Sequence, residues 1–404
     1  LRERAIRLLK KLRYLDYYLL VPYLLLCAIG VVMVYSASAY WIKNQYGWAE
    51  TTVLMRQLTY VLLGLLLAWF FYYFKLSVFR SPGWQKFMLA VLFIMLLYLT
   101  VLSHLDPAAA INGATAWIRI GPIQIQPTEF AKLGVIIYLA HMFASRQDQM
   151  AAPDFSIMQL AQPVLMISLI LILVWFQPDT GGAIIIAGIT LVMLAASGIS
   201  LKYGFGFAAF IAAILGLGYY IINRLPLADL ASKSYKLRRL IAAVHPFAMR
   251  KLEGNQVVNS LVAIAHGGLF GVGLGNSSQK LGYLPEPYTD FILAVITEEL
   301  GLIGALVVIG LIFWLIMRIY FVGSKATRPF YALISYGIAT MMMLQTIFNV
   351  GAVTGVLPVT GVTLPFISYG GSSMLVLSAG MGIMLNISAK EKQQRLKQAE
   401  AVHA

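Results

Sequence analysis

The stretch KLGYLPEPYTDFILAVITEEL, residues 280–300, runs from a polar turn with two prolines into an apolar helix. Asp290 stands at the threshold, and Glu298 and Glu299 lie two turns inside. Two roles are open to Asp290. It can cap the helix that follows, since aspartate suits a helix N-terminus. It can also be a general base, because a carboxylate at a desolvated lip can accept the proton of an attacking hydroxyl. Glu298 follows Asp290 by eight residues, about 12 Å along a helix and roughly 80° around it. The two therefore do not form a close carboxylate pair on one helix face. For Glu298 and Glu299 the choices are an ion pair with Lys132, a bond to a neighbouring helix, or a proton or ion path.

Three further polar stretches accompany them. NGATAWIRIGPIQIQPTEFAK, residues 112–132, places Arg119 in a loop and Glu129 and Lys132 three apart at a helix start, a spacing for a local pair. An exposed guanidinium such as Arg119 can clamp a diphosphate. In FQPDTGG, residues 176–182, Asp179 is placed to cap the next helix. HGGLFGVGLGNSSQK, residues 266–280, has no P-loop pattern, but a glycine-lined backbone nest with Lys280 suits the diphosphate of a lipid. HExxH and paired Cys/His sets are absent from the sequence, which argues against metal chemistry through protein ligands.

These residues must be positioned by membrane helices. Of 404 residues, 60% are hydrophobic and only 11% charged, with a mean hydropathy of +0.80. Soluble domains carry about 25% charged residues, so the fold class is an all-α polytopic membrane protein. Spans of about 20 apolar residues are expected near 17–36, 57–74, 87–104, 130–144, 160–176, 181–197, 203–222, 291–317, 331–351 and 370–388. The fourth is short and contains Lys132. The opening LRERAIRLLKKLRYLD is a basic amphipathic lead-in rather than a cleavable signal. With both termini cytoplasmic, the inside segments hold 18 Lys and Arg, against Lys43, Arg56 and Arg119 in the short outside loops. That asymmetry sets the orientation, and the net charge of +14 reads as topology and attraction to anionic lipid rather than nucleic-acid binding. The single Cys27 forms no internal disulfide. The expected organisation is one integral membrane domain, 1–404, with a large outside loop at 223–290 and a cytoplasmic tail at 389–404. Within the loop, SKSYKLRRLIAAVHPFAMRKLEG, residues 232–254, reads as a basic amphipathic segment on outer headgroups or a collar for a phosphate-bearing lipid.

QPTEFAK, QPDTGG, GNSSQKLGYLPEPYTDFILAVITEELGLIG and GVTLPFISYGGSSM resemble the SEDS proteins (shape, elongation, division and sporulation) of bacterial cell-wall synthesis. The likeness runs through nearly all ten spans, and GLGNSSQKL before YLPE is closer to the cell-division branch than to the elongation branch. The resemblance implies a glycosyltransferase of the cytoplasmic membrane, at the division septum, that polymerises lipid II at the outer face. It implies a class B penicillin-binding protein, a transpeptidase, and other divisome proteins as partners. It carries the family's essential aspartate onto Asp290, as general base. Arg119, Lys280, Glu286 and Lys132 are then expected to bind substrate, and Glu129, Glu298, Glu299 and Asp179 to serve as structural or ion-pair residues. No resident cofactor is implied, with room for a divalent cation, Mg or Mn, at the diphosphate. Pro287 and Tyr288 replace the AH or RH common before TD, so no histidine assists Asp290 from that position, and Thr297 replaces a small residue. A lipid II flippase and a scaffold for the transpeptidase are the alternative readings.

Overall fold

The computed structural model describes residues 11–106, 115–121, 123–150, 156–198, 209, 220, 241, 247–249 and 254–403. The expected span at 203–222 and the basic segment 232–254 lie, apart from isolated residues, outside the described residues. Ten helices are labelled here: α1 Tyr17–Tyr46, α2 Thr52–Tyr73, α3 Pro82–Leu105, α4 Pro127–Ala144, α5 Ala161–Phe176, α6 Thr180–Ala195, α7 Gly254–Gly267, α8 Ile292–Ser324, α9 Pro329–Val353 and α10 Gly371–His403. A two-stranded antiparallel hairpin, β1 Ile118–Ile120 and β2 Ile123–Ile125, precedes α4. Among the described residues, seven helices are long and apolar enough to cross a membrane. The chain is a multi-pass membrane protein.

The helix starts follow from local chemistry. Proline occupies the first turn of α3, α4 and α9, where its missing N–H costs nothing. Asp16 caps α1, accepting from the Tyr18 N–H at 3.1 Å, and Asp179 caps α6, accepting from the Gly182 N–H at 2.8 Å. Leu62, Leu66, Ile94, Val307 and Phe313 are among the large apolar side chains left exposed on α2, α3 and α8, as lipid-facing positions require. The short α4 is instead buried on nearly every side. Lys132 is tolerated there because Glu129 Oε1 accepts from its Nζ at 2.7 Å. The expected partnership of Lys132 with Glu298 or Glu299 is therefore corrected: the pair is local to α4. At 1% exposure, Lys132 presents no charge to a lipid headgroup, which also removes it from the expected substrate-binding residues.

The stretch 223–290 is expected as a large outside loop with a basic amphipathic segment at 232–254. It also contains α7, which packs against α8 and whose Ser260 Oγ donates to Val353 O, at the end of α9, at 2.7 Å. Beyond α7 the chain turns back against a break in α8. Gly301 sits at φ 72°, ψ −179°, about 13 Å below the helix start at 1.5 Å per residue. In an unbroken helix, Glu298 O and Glu299 O would accept from the N–H groups of Leu302 and Ile303. Here those carbonyls accept from Val272 N and Gly273 N, each at 3.0 Å. Leu302 N and Ile303 N donate instead to Gly268 O and Leu269 O, at 2.9 and 3.3 Å. The glycine-rich loop thus replaces two lost helical bonds with four, as backbone at membrane depth requires.

Both glutamates lock this loop. Glu298, fully buried, accepts from Ser278 N at 3.0 Å, Gln279 N at 3.3 Å, and the hydroxyls of Ser277 and Ser278, and its Oε1 lies 2.9 Å from His266 Nδ1. Glu299 Oε1 accepts from Lys280 Nζ at 2.6 Å, and Ser36 Oγ donates to the same carboxylate at 2.8 Å. Lys280 Nζ also donates to Ser36 Oγ at 3.0 Å and Gly275 O at 2.8 Å, so its three donors are used. At 5% exposure, Lys280 is the buried half of an ion pair rather than an open diphosphate clamp, a second correction.

Two outcomes test this arrangement. A Cβ on Gly301 would lie 2.2 Å from Leu269 O. Gly301→Ala is expected to cost roughly 3 kcal/mol or more from the clash and the positive φ. Gly310→Ala on the same helix meets nothing within 4 Å and should leave the melting temperature in detergent close to wild type. Lys280→Met strands a buried carboxylate and is expected to cost about 3–5 kcal/mol. The double variant Lys280→Met/Glu299→Met should recover most of that loss in thermal unfolding. Purely additive losses would show that the two residues are not energetically a pair.

Candidate active site on the outer face

Asp290 closes a series of turns that begins at the Glu298 anchor. Glu286 adopts φ 53°, a left-handed conformation rare outside glycine, and its carbonyl accepts from Phe291 N at 3.3 Å. Its carboxylate accepts from Thr289 Oγ1 at 2.9 Å, which fixes the turn carrying Asp290. The residue at the N-cap of α8 is Phe291, with no side-chain cap. The N-cap position expected for Asp290 is thus taken by the next residue. The Asp290 side chain is half-buried, and a Cβ on Gly361 would lie 3.4 Å from its Oδ2.

The opposite wall comes from α9 and the 354–370 segment. Asn349, 1% exposed, donates from Nδ2 to both Asp290 O and Val362 O at 2.8 Å. One turn away on α9, Gln345 Nε2 reaches Glu129 Oε2 at 3.5 Å. α9 therefore links the Asp290 turn to the buried Glu129–Lys132 pair. The N-terminus of α6 joins at the same place, because Gly181 packs against Thr360 and Val362 on either side of Gly361.

A tyrosine cluster flanks the turn. Tyr288 O accepts from Tyr369 N at 2.9 Å, and the two rings meet edge-on with centroids 5.8 Å apart. Tyr369 meets Tyr60 of α2 at 6.3 Å. Burial, reinforced by the Glu286 charge, raises the Tyr288 hydroxyl well above the ordinary tyrosine range. Burial and Tyr60 raise Tyr369, while the charge of nearby Arg56 opposes them. Arg56 is exposed near the start of α2, with its guanidinium 5.4 Å from the Trp48 ring.

The hairpin completes the rim. Arg119 is exposed on β1, opposite Gln124 of β2. Ser372 at the start of α10 accepts from Gln126 N at 2.9 Å and donates to Gln124 O at 3.4 Å. Gln126 Nε2 also donates to Asp179 Oδ2 at 3.2 Å. Asp179 thus joins the α6 cap to the hairpin that carries Arg119.

The sequence-predicted residues therefore divide into two groups. Asp290, Glu286, Asp179 and Arg119 belong to turns and a hairpin that converge on the 354–373 segment. Lys280, Glu298 and Glu299 form the buried lock beneath, and Glu129 and Lys132 a separate buried pair. Arg56, Tyr60, Asn349 and Tyr369 escaped the sequence reading. For Arg56 the available signal was a lone cation at the outer end of a span, where intramembrane charge marks function. Among the described residues, no three His, Cys, Asp or Glu side chains converge as a metal site.

Comparison with known proteins gives the same architecture. The family model described as a cell cycle protein, FtsW/RodA/SpoVE, matches residues 17–393. The chain is 40% identical to the probable peptidoglycan glycosyltransferase FtsW of Bacillus subtilis, over 94% of this chain and 92% of that protein. It is 33% identical to the stage V sporulation protein E of the same organism, over 92% of this chain and 96% of that one. Among solved structures, a chain of a peptidoglycan synthase complex superposes with a TM-score of 0.70 at 26% identity, covering 94% of this chain and 99% of its own length. Thermus thermophilus RodA gives 0.64 at 26% identity, covering 93% and 96%. The matched family spans the broken α8, the Asp290 turn and the 354–373 wall in one continuous alignment, and the chain belongs to the FtsW/RodA/SpoVE family of cell cycle proteins.

Proposed function

We propose that this protein is a peptidoglycan glycosyltransferase of the cell-division type, polymerising lipid II at the outer face of the cytoplasmic membrane with Asp290 as general base. The observation that carries this reading is the setting of Asp290. It is a half-buried carboxylate on a turn pinned from below by Glu298 and from the side by Asn349. Full-length relatives carrying that activity in their names support the chemistry.

In this mechanism Asp290 takes the proton from the 4-hydroxyl of the acceptor's N-acetylglucosamine. The freed oxygen pair bonds to the anomeric carbon of the donor's N-acetylmuramic acid. The carbon–oxygen bond to the diphosphate breaks on the opposite face, and polyprenyl diphosphate leaves with its electron pair, inverting the centre. The developing phosphate charge falls to exposed cations of the rim, Arg119 and Arg56, because Lys280 and Lys132 are already paired. That pairing also removes the intramembrane charges on which a lipid II transport path rested. Action at the septum with a class B penicillin-binding protein and other divisome proteins belongs to the same proposal. The likeness to a chain of a peptidoglycan synthase complex supports the partnership, and relatives named FtsW support the division role.

The test is lipid II polymerisation by purified protein with its cognate class B partner, the partner's transpeptidase blocked. Asp290→Asn is expected to lose about 100-fold or more in glycan synthesis, the scale of general-base catalysis, with unchanged melting temperature and partner binding. Near-normal glycan from that variant would falsify the assignment. Arg119→Gln should weaken synthesis less, with lipid II more than partner binding affected.

A further inference from the structure

At the end of the bundle opposite Asp290, α1, α8 and α10 enclose a cavity of about 340 Å³ whose walls include Tyr18, Arg318, Phe321, Lys325, Lys392 and Arg395. We propose that this cavity binds the phosphate headgroup of an anionic phospholipid of the inner leaflet.

The spacing of the cations builds a site. Arg318 lies in the last two turns of α8, Lys325 is the C-cap residue that ends it, and Lys392 and Arg395 are three apart on α10. Two carboxylates share the lining, Asp16 and Glu391, and both are already satisfied. Asp16, 6% exposed, accepts from Arg318 at 2.8 Å, Ser388 Oγ at 2.6 Å and Tyr18 N at 3.1 Å. Glu391, 4% exposed, accepts from Thr327 N at 3.0 Å and Thr327 Oγ1 at 3.1 Å. The cations keep unused capacity. Lys325 is exposed, with Nζ 4.0 Å from the Phe321 ring centroid. Arg395, exposed in the lining, spends one Nη2 donor on Lys325 O at 2.6 Å. Four cations against two committed carboxylates leave the wall attractive to one phosphate.

The apolar half of the site selects a lipid over a soluble anion. Below the cations, Tyr17, Tyr18, Trp314 and Phe321 are exposed. Trp314 Nε1 donates to Tyr18 O at 3.3 Å, and its ring lies 6.4 Å from that of Tyr18. Aromatic side chains of this kind mark the headgroup level of a bilayer, and the α8 surface continues into exposed Met317 and Phe313. An acyl chain would run down that surface while its phosphate meets Arg318, Lys325, Lys392 and Arg395. The excess of basic residues places this end in the cytoplasm, where anionic lipids accumulate and basic pockets between helices take their headgroups.

The test uses purified full-length protein, native mass spectrometry and thermal unfolding, with phosphatidylglycerol and phosphatidylcholine in mixed micelles. Wild type should retain phosphatidylglycerol at about a fivefold lower lipid concentration than phosphatidylcholine. Lys392→Gln/Arg395→Gln should abolish that preference. Arg80→Gln/Lys86→Gln, which removes the same charges elsewhere on the cytoplasmic side, should keep it. Lys325→Gln gives an independent variant at the end of α8, so misfolding of the double variant leaves the proposal testable. Equal losses in both double variants would mean diffuse attraction to the basic face and overturn the site. Saturation by inorganic phosphate alone would make it a free-anion site. Preference for poly-glutamate over phosphatidylglycerol would assign it to an acidic protein segment instead.

Discussion

Four backbone groups inside α8, the carbonyls of Glu298 and Glu299 and the amides of Leu302 and Ile303, set what the outer half of the molecule can be. Breaking the helix at Gly301 removes their mutual bonds at a depth where water is scarce. Each unmet group there costs several kcal/mol. The glycine-rich loop satisfies all four, and only glycine at 271 and 301 lets the two backbones approach so closely. Once that loop is fixed, the residues after it have little freedom. Ser277 to Lys280 fall against Glu298 and Glu299, and the chain then climbs through tight turns to Asp290.

The carboxylates of this region divide by environment. Glu298 and Glu299 are buried and surrounded by donors, which offsets the cost of their burial while they hold the loop in place. Asp290 has a different setting: half-buried, at the mouth, its backbone clamped by Asn349 while its carboxylate lies beside a glycine. Positive φ angles at Glu286 and Phe366 bracket the same wall from two segments. Such conformations cost about 1–3 kcal/mol each and persist where surrounding contacts over-determine them. Here the overdetermination has a use. A base that must meet one hydroxyl of a bound sugar gains from a turn that cannot relax.

Much of this was legible in the sequence, and the failures have physical causes. Spans with lipid-facing surface announced themselves by apolar length, and the cap at Asp179 by its place before TGG. α4 looked insecure because hydropathy measures affinity for lipid, whereas this helix is surrounded by protein and neutralises Lys132 internally. Lys280 looked like a ligand clamp because a cation after a glycine-rich run reads as open. Its partner Glu299 is nineteen residues away and Ser36 is 244, separations no local pattern reveals. The cap reading of Asp290 missed by one residue, since helix starts are set by the turn before them. The tyrosine cluster with Arg56 needs α2, the 354–370 segment and the Asp290 turn together, so it appears only in three dimensions.

The helix break also separates two mechanical units. Residues Ile292–Glu299 are buried without exception, enclosed by α7, the glycine-rich loop and the neighbouring helices. Beyond Gly301, α8 resumes the alternation of a lipid-facing helix down to Arg318. α1 spans both units: Ser36 meets Glu299 and Lys280 at one end, and Asp16 meets Arg318 and Ser388 at the other. α1 therefore acts as the continuous strut and α8 as the jointed one. Because a backbone hydrogen-bond ladder is stiff only while it is unbroken, the outer piece of α8 takes its orientation from the loop and from α1 rather than from its own lower half. The Asp290 turn is attached to that outer piece. Its geometry is thus set by contacts on the outer side, where the sugar chain must be built.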